Sequence, residues 1–580
     1  MRARSAAFVL VLSLAALLAG LAARAVAVDL ATPRDLHTRE YVGSGECRRC
    51  HDDHHESWSR TFHRTMTQEA GEESVLGAFD GRSLRYGGID ARMLRDGEQF
   101  VIETLGERWV IDRTVGSRRY QQYLARRGPD EWVRLPIAWD VEEQRFFHMN
   151  AAFLTPDPAS IEADTVHTAI TRADYERHVT RWNDNCVFCH NVAPDPALDP
   201  DTGRFATEVA ELGIGCEACH GPGSEHVAVN SHPLRRYVLH AGDEPDPTIV
   251  SPSRLDPARR ADLCGRCHGQ RITDDVGAFL AHGDPFVPGD DLALYSSPLW
   301  HDTTIGEVER AFEPRFWGDG TARLTAYEYQ GLLQSRCAVE GSLTCTDCHA
   351  MHEGDPRGQI RPSREGDAMC AGACHAGLAD PAAALAHAGH DAPVACVDCH
   401  MPRIVYGVRG VHRSHRIDVP RPIADAAAGR VDASRLCHLD AVASESARTI
   451  ELPGDVDRED DSPAWELALS GDPIQRTVVL DAIGRQGTHG ARPARLGILV
   501  STMRHDAYPA VRWIAWRALR KMALVDLEPT AFTATDAPRE RAAALAAILA
   551  RLGEPVREPE PARAAALRDR ARAVAIEIGE

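Results

Sequence analysis

The hydrophobic pattern of the chain begins with an apolar run over residues 6–21, which follows the basic residues Arg2 and Arg4. The run is followed by small residues that end at Ala27, an arrangement typical of a secretory signal peptide. We therefore predict that residues 1–27 are a signal peptide cleaved after Ala27, with a retained membrane anchor as the alternative. No later stretch is long and apolar enough to cross a bilayer, so we expect no membrane span after signal removal and a periplasmic or other extracytoplasmic location.

Two further patterns predict regular structure. Short alternating runs, such as residues 100–103, predict a small β-rich insert at about residues 75–155. Apolar residues at helical spacing, as over residues 511–522, predict antiparallel helices from 464 to 580. These helices resemble HEAT-type repeats, with a short irregular bundle as the alternative. The acidic, proline-containing stretch 452–463 between the two regions predicts a linker.

The charge of the chain restricts its partners. The formal net charge is -20, and removal of Arg2, Arg4 and Arg24 with the signal peptide makes it -23. A nucleic-acid partner is excluded on this ground, because phosphate binding needs a basic surface. Basic redox partners and small substrates fit this surface better than polyanions do.

The 16 cysteines follow a spacing that disulfides do not explain. Six times the chain reads Cys-x-x-Cys-His, the motif whose two thiols add to a haem and whose histidine becomes the proximal iron ligand. Zinc knuckles, redox dithiols and disulfides are the alternatives. None of them needs a histidine directly after the second cysteine of each motif. The six motifs are Cys47-Cys50-His51, Cys186-Cys189-His190, Cys216-Cys219-His220, Cys264-Cys267-His268, Cys345-Cys348-His349 and Cys396-Cys399-His400.

Two variants of the motif follow the same outline. At Cys370, Cys374 and His375 one extra residue separates the thiols, and we predict a seventh haem there, with a disulfide as the alternative. At Cys437 and His438 a serine replaces the first cysteine. Either an eighth haem hangs by one thioether, or the site has lost its haem and Cys437 is a spare thiol. Cys337 belongs to no motif.

The remaining histidines include candidates for the second axial ligand. A low-potential electron-transfer haem normally takes two histidines, so several of the 27 histidines should be distal ligands. Each of them taken alone could instead be a surface or hydrogen-bonded core histidine. The distal candidates are His63, His226, His352, His387, His390, His412 and His415.

Residues 41–440 resemble the multihaem c-type cytochromes of the tetrahaem electron-carrier and ammonia-forming nitrite reductase superfamily, specifically its larger members with C-terminal helical repeats. The C-terminal repeats of that family are often tetratricopeptide units, whereas this tail is more HEAT-like, and Ser434 departs from the last haem site of the family. The matching stretches are Tyr41 to Ser44, Trp58 to His63, Tyr120 to Leu124, Leu135 to Asp140, Gly215 to His226, Gln334-Ser335, Leu343 to Cys345, Cys399 to Pro402, and His415 with Val419 to Pro422.

Together these observations predict a fold class and a division into domains. We expect a mostly α and irregular, haem-cored cytochrome domain at residues 28–451 with its β-rich insert, followed by the linker and an all-α HEAT-like domain at residues 464–580. The haem region should hold only short helices and loops, because each porphyrin buries apolar area that side chains would otherwise provide.

The haem-attachment motifs indicate the function of the protein only in general terms. We predict a periplasmic electron carrier that exchanges electrons with periplasmic or membrane-bound quinol and cytochrome systems, and the helical tail is a possible platform for a protein partner. The alternative is an oxidoreductase that acts on a small nitrogen or sulfur species, such as nitrite or hydroxylamine, at a haem with an open face. The resemblance implies that a nitrite reductase would carry Cys-x-x-Cys-Lys at its catalytic haem, and no such motif occurs. Catalytic residues are not identified by the sequence.

Overall fold

The computed structural model describes residues 2–579 except 31, 33, 158–169, 325, 407–408, 440–462 and 486–490. Helix makes up 40% of it and strand 16%. The N-terminal helix α1 (Arg2–Leu30) carries the exposed apolar stretch Leu10–Leu30, which is the one helix in the described part that is long and apolar enough to cross a membrane. The predicted linker at 452–463 lies outside the described residues apart from Pro463, where a helix begins.

A nine-stranded antiparallel sheet dominates the N-terminal half of the molecule. Seven strands follow one another as a meander, β2-β3-β4-β5-β6-β7-β8, while β1 pairs with β5 and β9 pairs with β7. The strands are β1 (Thr67–Glu69), β2 (Ser83–Tyr86), β3 (Ile89–Asp96), β4 (Gln99–Thr104), β5 (Glu107–Val115), β6 (Tyr120–Arg126), β7 (Trp132–Asp140), β8 (Arg145–His148) and β9 (Thr180–Arg181).

The turns of this meander explain its regular register. β2 and β3 are joined by Gly87 and Gly88, with φ of 57° and 81°, and β4 and β5 are joined by Leu105 and Gly106, with φ of 54° and 77°. Two-residue loops with positive φ at both positions have the twist that continues two antiparallel strands. One face of the meander encloses its own apolar core, which includes fully buried Met93, Ile102 and Tyr123.

The predicted fold class is therefore wrong. The largest single element is a sheet that runs from residue 67 to 181, and its core is formed by its own side chains rather than by a mostly helical, haem-cored arrangement. The prediction failed because the alternating runs between the first two motifs were interpreted as a small insert. Consecutive tight turns instead join them into one continuous meander, which buries a large apolar face.

Short elements carry the cysteine motifs around this sheet. Three two-stranded ribbons lie among them: β10 (Asn191–Asp195) with β11 (Glu208–Leu212), β12 (Arg271–Ile272) with β13 (Ser297–Pro298), and β14 (Arg403–Tyr406) with β15 (Gly410–Arg413). The helices are α2 (Ser44–Cys47), α3 (Asp52–Ser59), α4 (Arg172–Tyr175), α5 (Val187–His190), α6 (Glu217–His220), α7 (Ser224–Asn230), α8 (Pro233–Ala241), α9 (Pro257–Gly265), α10 (Val276–His282), α11 (Glu328–Gln334), α12 (Arg336–Val339), α13 (Cys345–Cys348), α14 (Ala368–Ala371), α15 (Pro381–Ala388), α16 (Cys396–His400) and α17 (Pro422–Ala427).

The C-terminal tail is a stack of longer helices. Each begins with a proline at its first or second position, where the missing N–H costs no hydrogen bond. Neighbouring helices pack on each other through fully buried residues such as Leu480, Leu499 and Leu519. The helices are α18 (Pro463–Ser470), α19 (Pro473–Ile483), α20 (Arg492–His505), α21 (Pro509–Met522), α22 (Pro538–Leu552) and α23 (Pro561–Ala573).

The tail is docked on the rest of the chain. Residues 182–439 carry seven of the eight cysteine motifs and are here called the motif region. The apolar core of the tail continues into Phe316 and Leu436 of this region. Polar contacts reinforce the junction: Arg323 pairs with Asp472, and Arg145 donates to the carbonyl of Pro529 at 3.0 Å. A β-bridge between Leu154 and Ile578 ties the extreme C-terminus to the end of the sheet region.

Candidate metal centres

Each cysteine motif folds as a single helical turn. The backbone N–H of His220 donates to the carbonyl of Cys216 at 3.1 Å, and the same bond closes the motif at His268 at 2.8 Å and at His349 at 2.9 Å. In one helical turn, positions i, i+3 and i+4 share a face. Both thiols and the imidazole of a motif are therefore presented on the same side of the backbone, as attachment of one planar group requires.

The two variant motifs also form turns. His375 N–H reaches the carbonyl of Cys370 at 3.1 Å, so the extra residue is absorbed within the turn. At the other variant, His438 N–H donates to the carbonyl of Ser434 at 2.8 Å, and Ser434 occupies the place that the first cysteine has elsewhere. The single-cysteine motif thus keeps the regular backbone turn, whereas the hydrogen bond at His375 closes a wider turn of five residues instead of four.

Six imidazoles of the motifs face a second imidazole. Five of these pairs have ring centroids 6.0–6.3 Å apart with interplanar angles of 16–32°, and the sixth, His63 with His268, has centroids 6.2 Å apart and rings at 85°. The other five pairs are His51 with His226, His220 with His352, His349 with His415, His400 with His387, and His438 with His390.

This separation fits one metal ion between the two rings. A bond between a first-row metal and an imidazole nitrogen is about 2 Å long, so two such bonds in line place the ring centroids about 6 Å apart. Among the described residues no group of three or more histidine, cysteine, aspartate or glutamate side chains could hold a metal ion. The facing pairs supply two axial ligands and leave the equatorial positions to another group, which is the ligand set of a porphyrin iron.

Hydrogen bonds orient several of these rings. Nδ1 of His220, His349 and His400 lies 2.8 Å from a backbone carbonyl, that of Val250, Gly358 and Asp418 respectively. A ring that donates from Nδ1 keeps the lone pair on Nε2, the atom that metal ligands normally use. These three motif histidines are thus held in the tautomer that suits a metal ion at Nε2.

His226 is held by a buried acidic residue. Its Nδ1 lies 3.1 Å from Oδ2 of Asp246, and both carboxylate oxygens of Asp246 also accept from Arg235 at 2.9 Å. Burial opposes the charge on Asp246, but Arg235, His226 and Thr248 together keep the pKa of this carboxyl well below its usual range. A permanent carboxylate behind an imidazole fixes the ring and increases its basicity toward a metal.

Burial keeps several of these imidazoles neutral. The pKa of His63 and of His415 is lowered to about 4, chiefly because burial disfavours the charged ring. The pKa of His190 is lowered to about 4 by burial and by the neighbouring Arg134. Neutral rings have a lone pair available for coordination at physiological pH.

Two motif histidines and one distal candidate stand apart from this pattern. Within the described ranges no second imidazole faces His190, which is partly buried, or His375, which is exposed. His412 has its ring 5.4 Å from that of His415 and therefore lies beside a facing pair rather than across from a motif histidine. Six of the seven distal candidates are thus placed across from a motif histidine, and their role as iron ligands stays a prediction.

The motifs form one connected series through their cysteines. Side chains of Cys47 and Cys216, of Cys189 and Cys267, of Cys264 and Cys345, and of Cys370 and Cys396 contact each other. Electrostatic interactions between Cys219 and Cys267, between Cys348 and Cys370, and between Cys399 and Cys437 join the remaining neighbours. We number the eight motifs along the chain by their first position: Cys47, Cys186, Cys216, Cys264, Cys345, Cys370, Cys396 and Ser434. In this numbering the first, third, fourth, fifth, sixth, seventh and eighth motifs form a line, and the second motif branches from the fourth.

Sequence reasoning missed the residues that support the pairs. Asp246 and Arg235 lie in a segment without any recognisable motif, so only the fold reveals their contact with His226. His54, which the sequence analysis does not single out, is exposed, and its ring stacks on that of His352 with centroids 4.6 Å apart and lies 6.2 Å from that of His51. The position of His54 three residues after His51 on a helical turn was the available signal.

Comparison with known proteins adds little to this geometry. No protein-family model matches the chain, and no curated protein matches it. A solved structure titled outer cell wall cytochrome OcwA is 17% identical, covers 88% of this chain and 99% of its own, and superposes with a TM-score of 0.45. At that level the likeness says nothing about what this protein binds, and its function rests on its own residues.

Proposed function

We propose that this protein is an extracytoplasmic multihaem c-type cytochrome that carries electrons along a chain of covalently bound haems. The observation that carries this proposal is the set of six facing imidazole pairs, each of which contains the histidine of a cysteine motif. Two axial histidines make a low-spin iron that exchanges electrons without binding substrate. The proximal ligands are then the motif histidines, and the distal ligands are His63, His226, His352, His387, His390 and His415.

The number of haems in this proposal is eight. Seven sites offer two thiols, and the eighth offers Cys437 alone with His438. The ring of His390 faces that of His438 at 6.1 Å, with an interplanar angle of 24°, as in the regular sites. This pair favours a haem held by a single thioether over a site that has lost its haem.

The order of the motifs in space supports transport of electrons over the whole molecule. Each motif has a neighbour whose cysteine side chain touches it or interacts with it electrostatically, as between Cys264 and Cys345 at the middle of the line. Groups attached to such cysteines have little protein between them. The line therefore offers a route from the first motif, near Cys47, to the eighth, near Cys437.

Electron paramagnetic resonance of the ferric holoprotein tests the proposal, because it counts low-spin and high-spin iron separately. We expect at least six low-spin haems, and His226→Ala should convert one of them to a high-spin or water-ligated centre without loss of haem mass. His282→Ala, at an exposed position outside all pairs, is the matched control and should leave the spectrum unchanged. A His226→Ala spectrum identical to the wild type would refute the pairing.

A second function is favoured by one specific site. His190 is partly buried, no imidazole faces it within the described ranges, and its motif is a side branch of the line. A haem there would keep an open coordination position, beside the buried guanidinium of Arg134. The alternative function is thus an oxidoreductase of a small nitrogen or sulfur species. A high-spin signal that shifts on addition of nitrite or hydroxylamine, together with turnover by a reduced dye, would favour it over a pure carrier.

The location and partners belong to the same proposal. Residues 1–27 act as the signal peptide, which places the mature chain in the periplasm or another extracytoplasmic compartment. The acidic surface, at a formal charge of -20 for the whole chain, suits basic redox proteins linked to quinol or cytochrome systems. The tail is a further surface for a protein partner. Fractionation of cells followed by detection of the haem signal tests the location.

A further inference from the structure

A cavity of about 330 Å³ lies where three parts of the molecule meet. The sheet contributes the ends of β6 and β7, the motif region contributes the hairpin of β14 and β15, and the tail contributes α19 and α21. The charged lining residues are Arg119, Arg403, Arg409, Arg485, Arg517, Lys521, Asp140, Glu142 and Asp481.

The lining has six cations against three carboxylates. Arg517 pairs with Glu142, and Arg409 lies 3.1 Å from Asp140. Asp481 is shared between Arg485 at 3.4 Å and Lys521 at 3.7 Å. Each carboxylate therefore has a cation beside it, and the cavity keeps an excess of positive charge in a chain whose net charge is -20.

Arg403 and Arg485 carry buried N–H groups that make no hydrogen bond. In the described part of the chain Arg403 has no ion pair, and its Nε is buried without a hydrogen-bond partner. Nε and Nη2 of Arg485 are buried without a hydrogen bond as well, although Nε lies 3.4 Å from Oδ2 of Asp481 in an ion pair. Buried guanidinium donors cost free energy unless an acceptor reaches them, and a carboxylate or oxyanion is the acceptor that their planar geometry matches best.

We propose that this cavity is a binding site for a small anion, in which Arg403 and Arg485 hold a carboxylate or inorganic oxyanion group. The site lies beside the last two motifs, since Arg403 interacts with Asp398 of the seventh and Arg485 with Cys437 of the eighth. The same chemistry has two sources. One is a free anion such as phosphate, and the other is a propionate of a haem attached at a neighbouring motif.

Isothermal titration of the holoprotein with inorganic phosphate at low salt tests the free-anion source. Arg403→Gln and Arg485→Gln each remove one guanidinium, and either should weaken phosphate binding at least tenfold. Arg570→Gln is the matched control, because Arg570 is 58% exposed and pairs with Glu466 on the tail surface. Intact mass and thermal unfolding show whether each variant carries its haems and folds.

A redox titration of the same proteins tests the propionate source. If propionates fill the cavity, phosphate does not bind to the wild type, and Arg403→Gln or Arg485→Gln lowers the midpoint potential of one haem, since a positive charge beside it is lost. Arg570→Gln should leave all potentials unchanged. The proposal is overturned if fully loaded variants of both arginines alter neither phosphate binding nor any potential. Phosphate binding by a chain that proves to lack haem would support the anion site while refuting the proposed function.

Discussion

In α19 of the tail ten of eleven residues are buried, whereas the 63 residues from 341 to 403 bury only two apolar side chains, Ala350 and Ala371. The tail is ordered by side chains that pack on one another, as most domains are. The stretch from 341 to 403, here called the motif stretch, carries three cysteine motifs instead. Because it buries so few apolar side chains, we expect the order of this stretch to depend on groups attached to its cysteines and histidines, and we expect no such dependence in the tail.

The largest expected effect comes from withholding haem attachment. Produced in a host without the attachment machinery, the protein should lose protease resistance in the motif stretch, because little apolar burial remains to order it. Residues 463–579 should keep their resistance, since Leu480, Leu499 and Leu519 form their core. Limited proteolysis followed by mass spectrometry measures both regions at once. Equal resistance of the two regions in the haem-free protein would contradict the comparison.

The second prediction removes one haem from the line. Cys437→Ala should lower the intact mass by one haem, because no second thiol is present to retain it. Cys337→Ala is the matched control and should retain every haem, since Cys337 belongs to no motif. A Cys437→Ala protein with the wild-type haem count would show that the eighth site holds none.

A cavity in the tail should affect stability without affecting the iron. Leu499→Ala removes a fully buried side chain of α20 and should destabilise the tail by about 3 kcal/mol. Thermal unfolding monitored by circular dichroism measures the loss. The ferric spectrum of the variant should match the wild type, and a change in spin state would show that tail packing reaches the haem ligands.

The smallest expected effect is a pH dependence of the stability of the tail. Burial, with repulsion from Glu540, raises the pKa of Asp536 to about 6. The folded tail favours the neutral form of this carboxyl, and that contribution to its free energy of unfolding is complete below the pKa of the unfolded chain, near 4. The contribution is lost as the pH rises through 6, the pKa of the folded state. Asp536→Asn should therefore stabilise the tail by about 1–2 kcal/mol at pH 8, after discount for partial exposure, and leave it unchanged at pH 4.

Melting temperatures of wild type and Asp536→Asn across that pH range measure this difference. A constant difference at every pH would show that the asparagine acts by packing and that the Asp536 carboxyl has an ordinary pKa.

The same comparison explains what could be predicted from the sequence. Cysteine motifs are local, since two thiols and a histidine need one turn of backbone, and each of the eight motifs forms a turn, with a wider one at His375. The continuous sheet was not predicted, because turns such as Gly87-Gly88 decide whether alternating runs join into one meander. The hydrogen bond between Asp246 and His226 could not be predicted, because the segment that brings the two residues together has no recognisable sequence pattern.

The docking of the tail has a consequence for how the protein can evolve. Loss of the tail would expose Phe316 and Leu436 and strand the buried arginine Arg323 without its partner Asp472. Recombination could therefore remove or exchange these helices only if compensating substitutions arose among the residues of the motif region that contact the tail. Selection therefore acts on the tail and the motif region together. Related chains that lack the tail should carry polar residues at the positions of Phe316 and Leu436.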